Sequence, residues 1–422
     1  MAGRWIGRHT GGHVVARWVF LIAGMSGVVG LGVQANSIDL VGSVTTPTLP
    51  DPLSTVCQVA GPCWSVTQAL NAGSSATLTG VSCTSSSLCL AVGYSEGAGT
   101  QPIVEEWNGS SWSMMFALDP GYTARFNGIS CSSASFCVAV GSFQEALNYG
   151  PGEYTGTGIY QALAEEWNGS SWSVTNPTEP GTSPWLSGVS CTSSIDCVAV
   201  GNFSNTAGTE TLAEVWDGVS WSMMNTPTTN NTQFNGVSCT SSRFCVATGL
   251  GASGSLQDTL AADWDGTRWS VMTTTNPGTG GNRLTGVSCA ASAACTAVGD
   301  YYNYYGPHQA MAEAWDGASW TTMTTQTPGG QGWLNAVSCA SVVSCVGVGL
   351  DATPSPLAEQ SLGLMWTTMS TAAPNSYGSI FNGVSCPTSV FCMAVGTSNV
   401  YPDSGIIQAL AEVYPTAPSS GI

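Results

Sequence analysis

The chain has 422 residues, 25 acidic side chains, seven arginines and no lysine, for a net charge of −18. Such a balance has no basic cluster able to displace counterions from a phosphate backbone or an anionic lipid surface, so nucleic acid is excluded as a natural partner. Charged residues make up only 8% of the chain, yet aromatic and apolar positions recur regularly, which argues for a packed fold with a hydroxyl- and amide-rich surface and against disorder.

Residues 1–35 have the form of an export signal: Arg4, Arg8 and Arg17, then an apolar stretch from Trp18 to Val33, then the small-residue site Val33-Gln34-Ala35. The apolar stretch is short for a membrane span, so no stable membrane insertion is expected after signal removal, although a retained anchor stays open. Beyond it, four arginines face all 25 acids, a net charge of −21 with histidine neutral. A linker is expected over 36–56, a repeat domain over 57–415 and a short tail over 416–422.

Within the domain a Gly-Val-Ser-Cys-like core recurs seven times, at Cys83, Cys131, Cys191, Cys239, Cys289, Cys339 and Cys386, spaced by 47 to 60 residues. Five residues later comes a second cysteine and an apolar run ending at or near glycine, as in Cys137-Val138-Ala139-Val140-Gly141. These are two strands, A and B, around a tight connection. A variable loop follows, then an apolar-acidic strand C and a Trp-Asn/Asp-Gly-x-x-Trp turn into strand D, as in Trp216-Asp217-Gly218-Val219-Ser220-Trp221. Asn-Gly and Asp-Gly favour the positive φ of tight hairpins.

Six units end on a strand-D tryptophan (Trp112, Trp172, Trp221, Trp269, Trp320, Trp366), whereas the seventh stops at Tyr414-Pro415. The missing strand is at the other end of the chain, where Trp64-Ser65-Val66-Thr67 matches Trp172-Ser173-Val174-Thr175. Seven A-B-C sets and seven D strands, permuted by one, predict an all-β, seven-bladed β-propeller of four-stranded antiparallel blades, its last blade closed by the N-terminal strand. The acidic-x-aromatic-Asp/Asn-Gly-x-x-Trp unit resembles kelch-type blades, and its turn resembles a shortened Asp-box. It departs from kelch in lacking the double glycine after strand B and in carrying paired cysteines. The resemblance implies architecture and no particular activity.

All sixteen cysteines fall into Cys-x5-Cys pairs: Cys57-Cys63, Cys83-Cys89, Cys131-Cys137, Cys191-Cys197, Cys239-Cys245, Cys289-Cys295, Cys339-Cys345 and Cys386-Cys392. In an exported chain these are expected to be disulfides, and the protein to be secreted. His308 is the only histidine after residue 35, so Cys/His zinc sites lack nitrogen ligands, and neither metal nor cofactor is expected. The strand-C aromatics Trp107, Trp167, Trp216, Trp264, Trp315 and Tyr414 are read as packing between blades, with Ser361 the exception. Two positions earlier stand Glu105, Glu165, Glu214, Glu313, Glu359 and Glu412, with Ala262 the exception. They are expected to accept structural hydrogen bonds, a cation-binding or catalytic ring being the alternative.

In such blades the A-B and C-D turns share one face and the B-C and D-A connections the other; here the second set is long and varied. Three residues before the strand-A glycine, at the expected mouth of the central channel, stand Thr77, Arg125, Trp185, Gln233, Arg283, Trp333 and Ile380. Nearby B-C loops add Tyr149, Tyr154 and Tyr160, and Asp300, Tyr301, Tyr302, Tyr304, Tyr305 and His308. Arginines and aromatic rings around one opening suit sugar rings and an anionic group. Tyrosine-rich loops offer recognition area at low entropic cost, with simple loop packing as the alternative.

Sialidase chemistry needs three arginines on one carboxylate, but Arg243 and Arg268 lie in turns of the other face. Galactose-oxidase-like copper chemistry needs two histidines. The residues therefore favour a secreted, non-catalytic recognition propeller for glycan or cell-surface polymer. A carbohydrate-active enzyme using loop carboxylates such as Glu145, Glu153 or Asp300, and a structural or protein-docking propeller, both stay open.

Overall fold

The alternation of apolar and polar residues in each repeat folds into short antiparallel strands, seen in a computed structural model that describes residues 63–414 except 72, 74, 98, 122, 151–152, 179, 228–230, 254–255, 373–377 and 400–406. The leader, the linker, Cys57 and the tail lie outside the described residues. The first blade comprises Ser75–Ser85, Leu88–Glu96, Thr100–Trp107 and Trp112–Met115, strands A to D in order. Five further blades repeat this pattern. A single parallel pairing, Thr100 with Thr123, joins the first two blades into one larger sheet.

The seventh blade takes Ser379–Thr388, Phe391–Asn399 and Ile407–Tyr414 from the C-terminal end, and Ser65–Thr67 from the N-terminal end as its strand D. Ser65 pairs with Val413, Val66 with Glu412 and Thr67 with Ala411, antiparallel. Trp64, wholly buried, packs at 6.0 Å from the Phe381 ring and 5.6 Å from Tyr414, and its backbone N–H donates to Ser370 O. The chain is thus a seven-bladed β-propeller closed by its own start.

Strand A is the inner strand. A Cβ on Gly80 would lie 3.3 Å from the Cα of Gly128, and the same close approach runs through Gly188, Gly236, Gly286 and Ala336. It returns from Gly383 to Gly80 at 3.0 Å, so around the inner strands even a Cβ is tight against the neighbouring backbone, which favours small residues at these positions. Around it the serine before each first cysteine accepts the next blade's cysteine N–H. Cys131 N donates to Ser82 Oγ, Cys191 to Ser130, Cys239 to Ser190, Cys289 to Ser238, Cys339 to Ser288, Cys386 to Ser338 and Cys83 to Ser385. The circuit has no gap.

One residue before each inner glycine or alanine the A-B register slips, a β-bulge repeated in all seven blades. The bulged side chain reaches the next blade in six of them: Thr79 donates to Phe126 O, Asn127 to Leu186 O, Asn235 to Leu284 O, Thr285 to Leu334 O, Asn335 to Phe381 O and Asn382 to Leu78 O. Close packing beside the bulge also explains the glycine within strand B, since a Cβ at Gly93 would sit 1.9 Å from Thr77 O.

The seven cysteine pairs from Cys83-Cys89 to Cys386-Cys392 are disulfides. In six of them the partners face each other directly across the A-B ladder, as Cys83 faces Cys89. Each closes a small ring, worth about 2 kcal/mol at most in the chain-entropy picture. Such bonds persist in an oxidising environment. Among the described residues no helix is long and apolar enough to cross a membrane.

Replacing Trp64 by alanine removes the anchor of the closing strand and is expected to cost about 3–5 kcal/mol, the range for truncating a fully buried tryptophan. Denaturant unfolding of Trp64→Ala beside the exposed-site control Val219→Ala checks this; equal stabilities would mean that the first strand contributes nothing to closure.

Candidate functional site

The repeated glutamates are the first candidates. All six are fully buried, and five accept a backbone N–H from the connection that leaves the preceding blade's strand D. The donors are Leu70 to Glu105, Leu118 to Glu165, Thr178 to Glu214, Thr275 to Glu313 and Ala372 to Glu412. Burial pushes the carboxyls of Glu105, Glu165 and Glu412 up to about 7, against the lowering effect of those hydrogen bonds. It raises Glu359 to about 8, opposed only by a weak interaction with the Gln326 backbone. The five hydrogen-bonded carboxyls clasp one blade to the next, each on its own neighbour.

The tryptophans are equally structural. Strand-C and strand-D rings pair in six of the seven blades, as Trp107 with Trp112 at 5.6 Å, Ser361 leaving Trp366 without such a partner in the sixth. The Trp107 indole N–H donates to Ser86 O in its own A-B turn, and that of Trp112 to Thr67 Oγ1 of the adjoining blade.

The ring three residues before the inner glycine divides into two sectors. In the first, the Arg125 guanidinium lies 4.9 Å from the Trp185 ring centre and 5.5 Å from that of Tyr94, spanning three blades. Tyr160 meets Trp185 edge-on at 5.8 Å. Arg125, Trp185, Tyr94 and Tyr160 are all half-buried. Arg125 makes no ion pair with a carboxylate among the described residues.

In the second sector Arg283 on strand A faces Asp300 on strand B, and its Nε donates to Asp300 Oδ1. The other oxygen, Oδ2, bonds His308 Nδ1 at 2.5 Å. Tyr302 packs on the His308 ring at 4.8 Å, and Trp333 of the next blade meets it at 6.1 Å. The Gly332 N–H donates to His308 O, which ties this loop to blade six. A small cavity opens here between Gln257, Asn282 and Tyr302.

Gln233 lies between the two sectors, its amide turned to Asn235 Oδ1. Thr77 and Ile380 hold the same register opposite Tyr94 and Thr397. Tyr301 donates its hydroxyl to Gln309 within its own blade. Tyr304 and Tyr305 are exposed and have no ring contact among the described residues. The side chains of Tyr149 and Tyr154 lie outside the described residues, but their backbone does not form the expected loop: Phe136–Gly150 and Glu153–Trp167 prolong strands B and C into one long hairpin.

Asp300 is likewise a strand residue, 1% exposed, with one oxygen held by Arg283 and the other by His308. Glu145 is exposed on the surface beside Gln161. Among the described residues no group of three His, Cys, Asp or Glu could hold a metal ion. Tyr94 escaped the sequence reading, although a rule would have found it: the residue after the strand-B glycine pairs with the mouth residue, as Tyr94 with Thr77 and Asp300 with Arg283. The opposite face is less uniform than its short turns suggest, because Val342, Val343, Leu362, Leu364 and Met365 of blade six are all more than half exposed there.

No protein-family model matches the chain, and no curated protein matches it, so the kelch resemblance is not confirmed. Solved structures do match. YCF48 bound to a D1 peptide aligns with a TM-score of 0.53 at 12% identity, over 86% of this chain and 99% of that one. A protein of unknown function from Dyadobacter fermentans aligns with a TM-score of 0.50 at 10% identity, over 84% and 98%. At such identities the likeness is one of fold, and the fold is that of a β-propeller.

The raised glutamates make stability depend on pH. Their folded pKa lies above the unfolded value of about 4.5, so their contribution is complete below pH 4.5 and lost as pH rises through 7 to 8. The upper bound is about 3 kcal/mol for Glu105 and about 5 kcal/mol for Glu359. The melting temperature is expected to fall between pH 5 and pH 8.5 at constant ionic strength, and less steeply in Glu105→Gln with Glu359→Gln. An identical slope in that double variant would assign the pH dependence to the other acids.

Proposed function

We propose that this chain is a non-catalytic recognition propeller that holds a segment of a protein partner on its loop face, at the channel mouth. The observation that carries this reading is the Tyr94–Arg125–Trp185–Tyr160 stack. The fold does not require it, because the same register position is Thr77, Gln233 or Ile380 in other blades. An arginine held between two aromatic rings keeps its donors in place at little further entropic cost, which suits recognition of carboxylate or carbonyl groups. The similarly folded YCF48 described with a D1 peptide adds support for a polypeptide ligand.

Glycan or cell-envelope polymer, to which stacked aromatic rings are also suited, is the second reading. Parallel binding to a peptide array and a polysaccharide panel separates the two. Peptide binding that falls at least about tenfold in Arg125→Ala with Trp185→Ala, the loss expected on removing an arginine and an aromatic hot spot, supports the proposal. Binding of polysaccharide alone, lost in the same variant, would replace peptide with glycan; binding of either kind that the variant leaves intact would move the ligand surface elsewhere.

A further inference from the structure

We infer that Arg283 and His308 form a carboxylate-binding subsite in the blade-five sector of the mouth, an inference that rests on the loop face being the ligand surface. Its geometry begins with an unusual burial. The strand-B position of Asp300 is occupied in other blades by Tyr94, Ser142, Asn202, Leu250, Leu350 and Thr397, so the blade folds without an acid there. A buried carboxylate is costly unless paired, and this one is paired twice.

The arrangement is also polarised. The Asp300 side chain is 2% exposed, whereas those of Arg283 and His308 are each 42% exposed, so the acid lies beneath and the two basic side chains face outward. Asp300 takes only Nε of Arg283, which leaves the two Nη groups, a natural fork for a carboxylate. The other oxygen of Asp300 bonds Nδ1 of His308, which turns Nε2 away from the acid, where it donates to an anion when the ring carries both protons. Tyr302 and Trp333 hold the imidazole on two sides, and the Gly332 N–H fixes its backbone. Donors positioned in this way before any ligand arrives lose little freedom on binding. In a chain this acidic, such an outward-facing pair of basic side chains selects for an anion. The commitment is to a carboxylate of a peptide, an acidic side chain or a free C-terminus.

Other titratable or charged groups on the packed elements are Tyr301 and Tyr302 of the same blade, Asp258 beside the cavity-lining Gln257 in blade four, and Asp351 opposite Gly332 in blade six. None is changed in the test. Imidazole NMR of the full chain follows His308, assigned by its loss in His308→Asn, as pH is titrated with sodium acetate or with chloride at equal ionic strength. Saturable acetate binding is expected to move the His308 midpoint upward by about half a pH unit, since a bound anion favours the protonated ring. In Arg283→Gln, folded by circular dichroism, the acetate effect is expected to vanish while His308 still titrates. No saturable effect, or one unchanged in Arg283→Gln, would make the triad a brace for the loop and overturn the inference.

A short peptide with a free C-terminus and its amidated twin are then competed against acetate. Displacement by the acid form alone supports the peptide assignment, and displacement only by oligogalacturonate overturns it. Acetate binding in a protein that binds no peptide on the array would fail the docking proposal while leaving the anion site standing, so the two failures are distinguishable.

Discussion

The hydrogen bond from each cysteine N–H to the serine of the preceding blade, repeated seven times without a gap, is the constraint on which the rest of the structure depends. It holds the inner strands at a separation where a Cβ at the glycine ring would already be tight. A circle of this kind tolerates no missing member, which is why the seventh blade borrows its outer strand from the start of the chain. Completion of that blade also covers the outer edge of its strand C, which would otherwise be open to pairing with another molecule.

The same geometry separates maintenance from recognition. The cysteines, the paired tryptophans and the buried glutamates serve blade folding and blade-to-blade attachment, and they recur with the repeat. The mouth residues do not recur: arginine or tryptophan stands at some blades, threonine, glutamine or isoleucine at others. Because the bulge and the strand-B glycine already satisfy the backbone at this level, side chains there are free to vary without cost to the fold. Two clusters of different chemistry result, one a cation held between rings, the other two bases oriented by a buried acid.

Much of this architecture was legible in the residues. Counting strand-D tryptophans exposed the permutation, and Cys-x5-Cys spacing placed the disulfides across A-B hairpins. The repeated glutamate read correctly as a structural acceptor, because a carboxylate present in nearly every blade serves what every blade needs. The candidate site was legible only as a set of positions. Arg125 and Trp185 shared a ring by counting, but nothing in their spacing shows that the guanidinium lies on the indole, or that Tyr94 completes the stack. Arg283 looked like a free cation, and pairing with Asp300 gives it a fixed orientation instead. The tyrosines of the second unit read as a loop because Gly and Pro interrupt the pattern, whereas the two strands simply continue as a hairpin.

By itself the sequence determined the number of blades, the strand order within each, the disulfide pairing of the seven described blades and the circular permutation, because each is written in local periodicity or in residue counts. Only the tertiary structure decided which residues about fifty positions apart become neighbours. That choice depends on a bulge that shifts the A-B register by one residue and on how closely the inner strands approach. Both are set by backbone packing between blades, which no single repeat encodes alone.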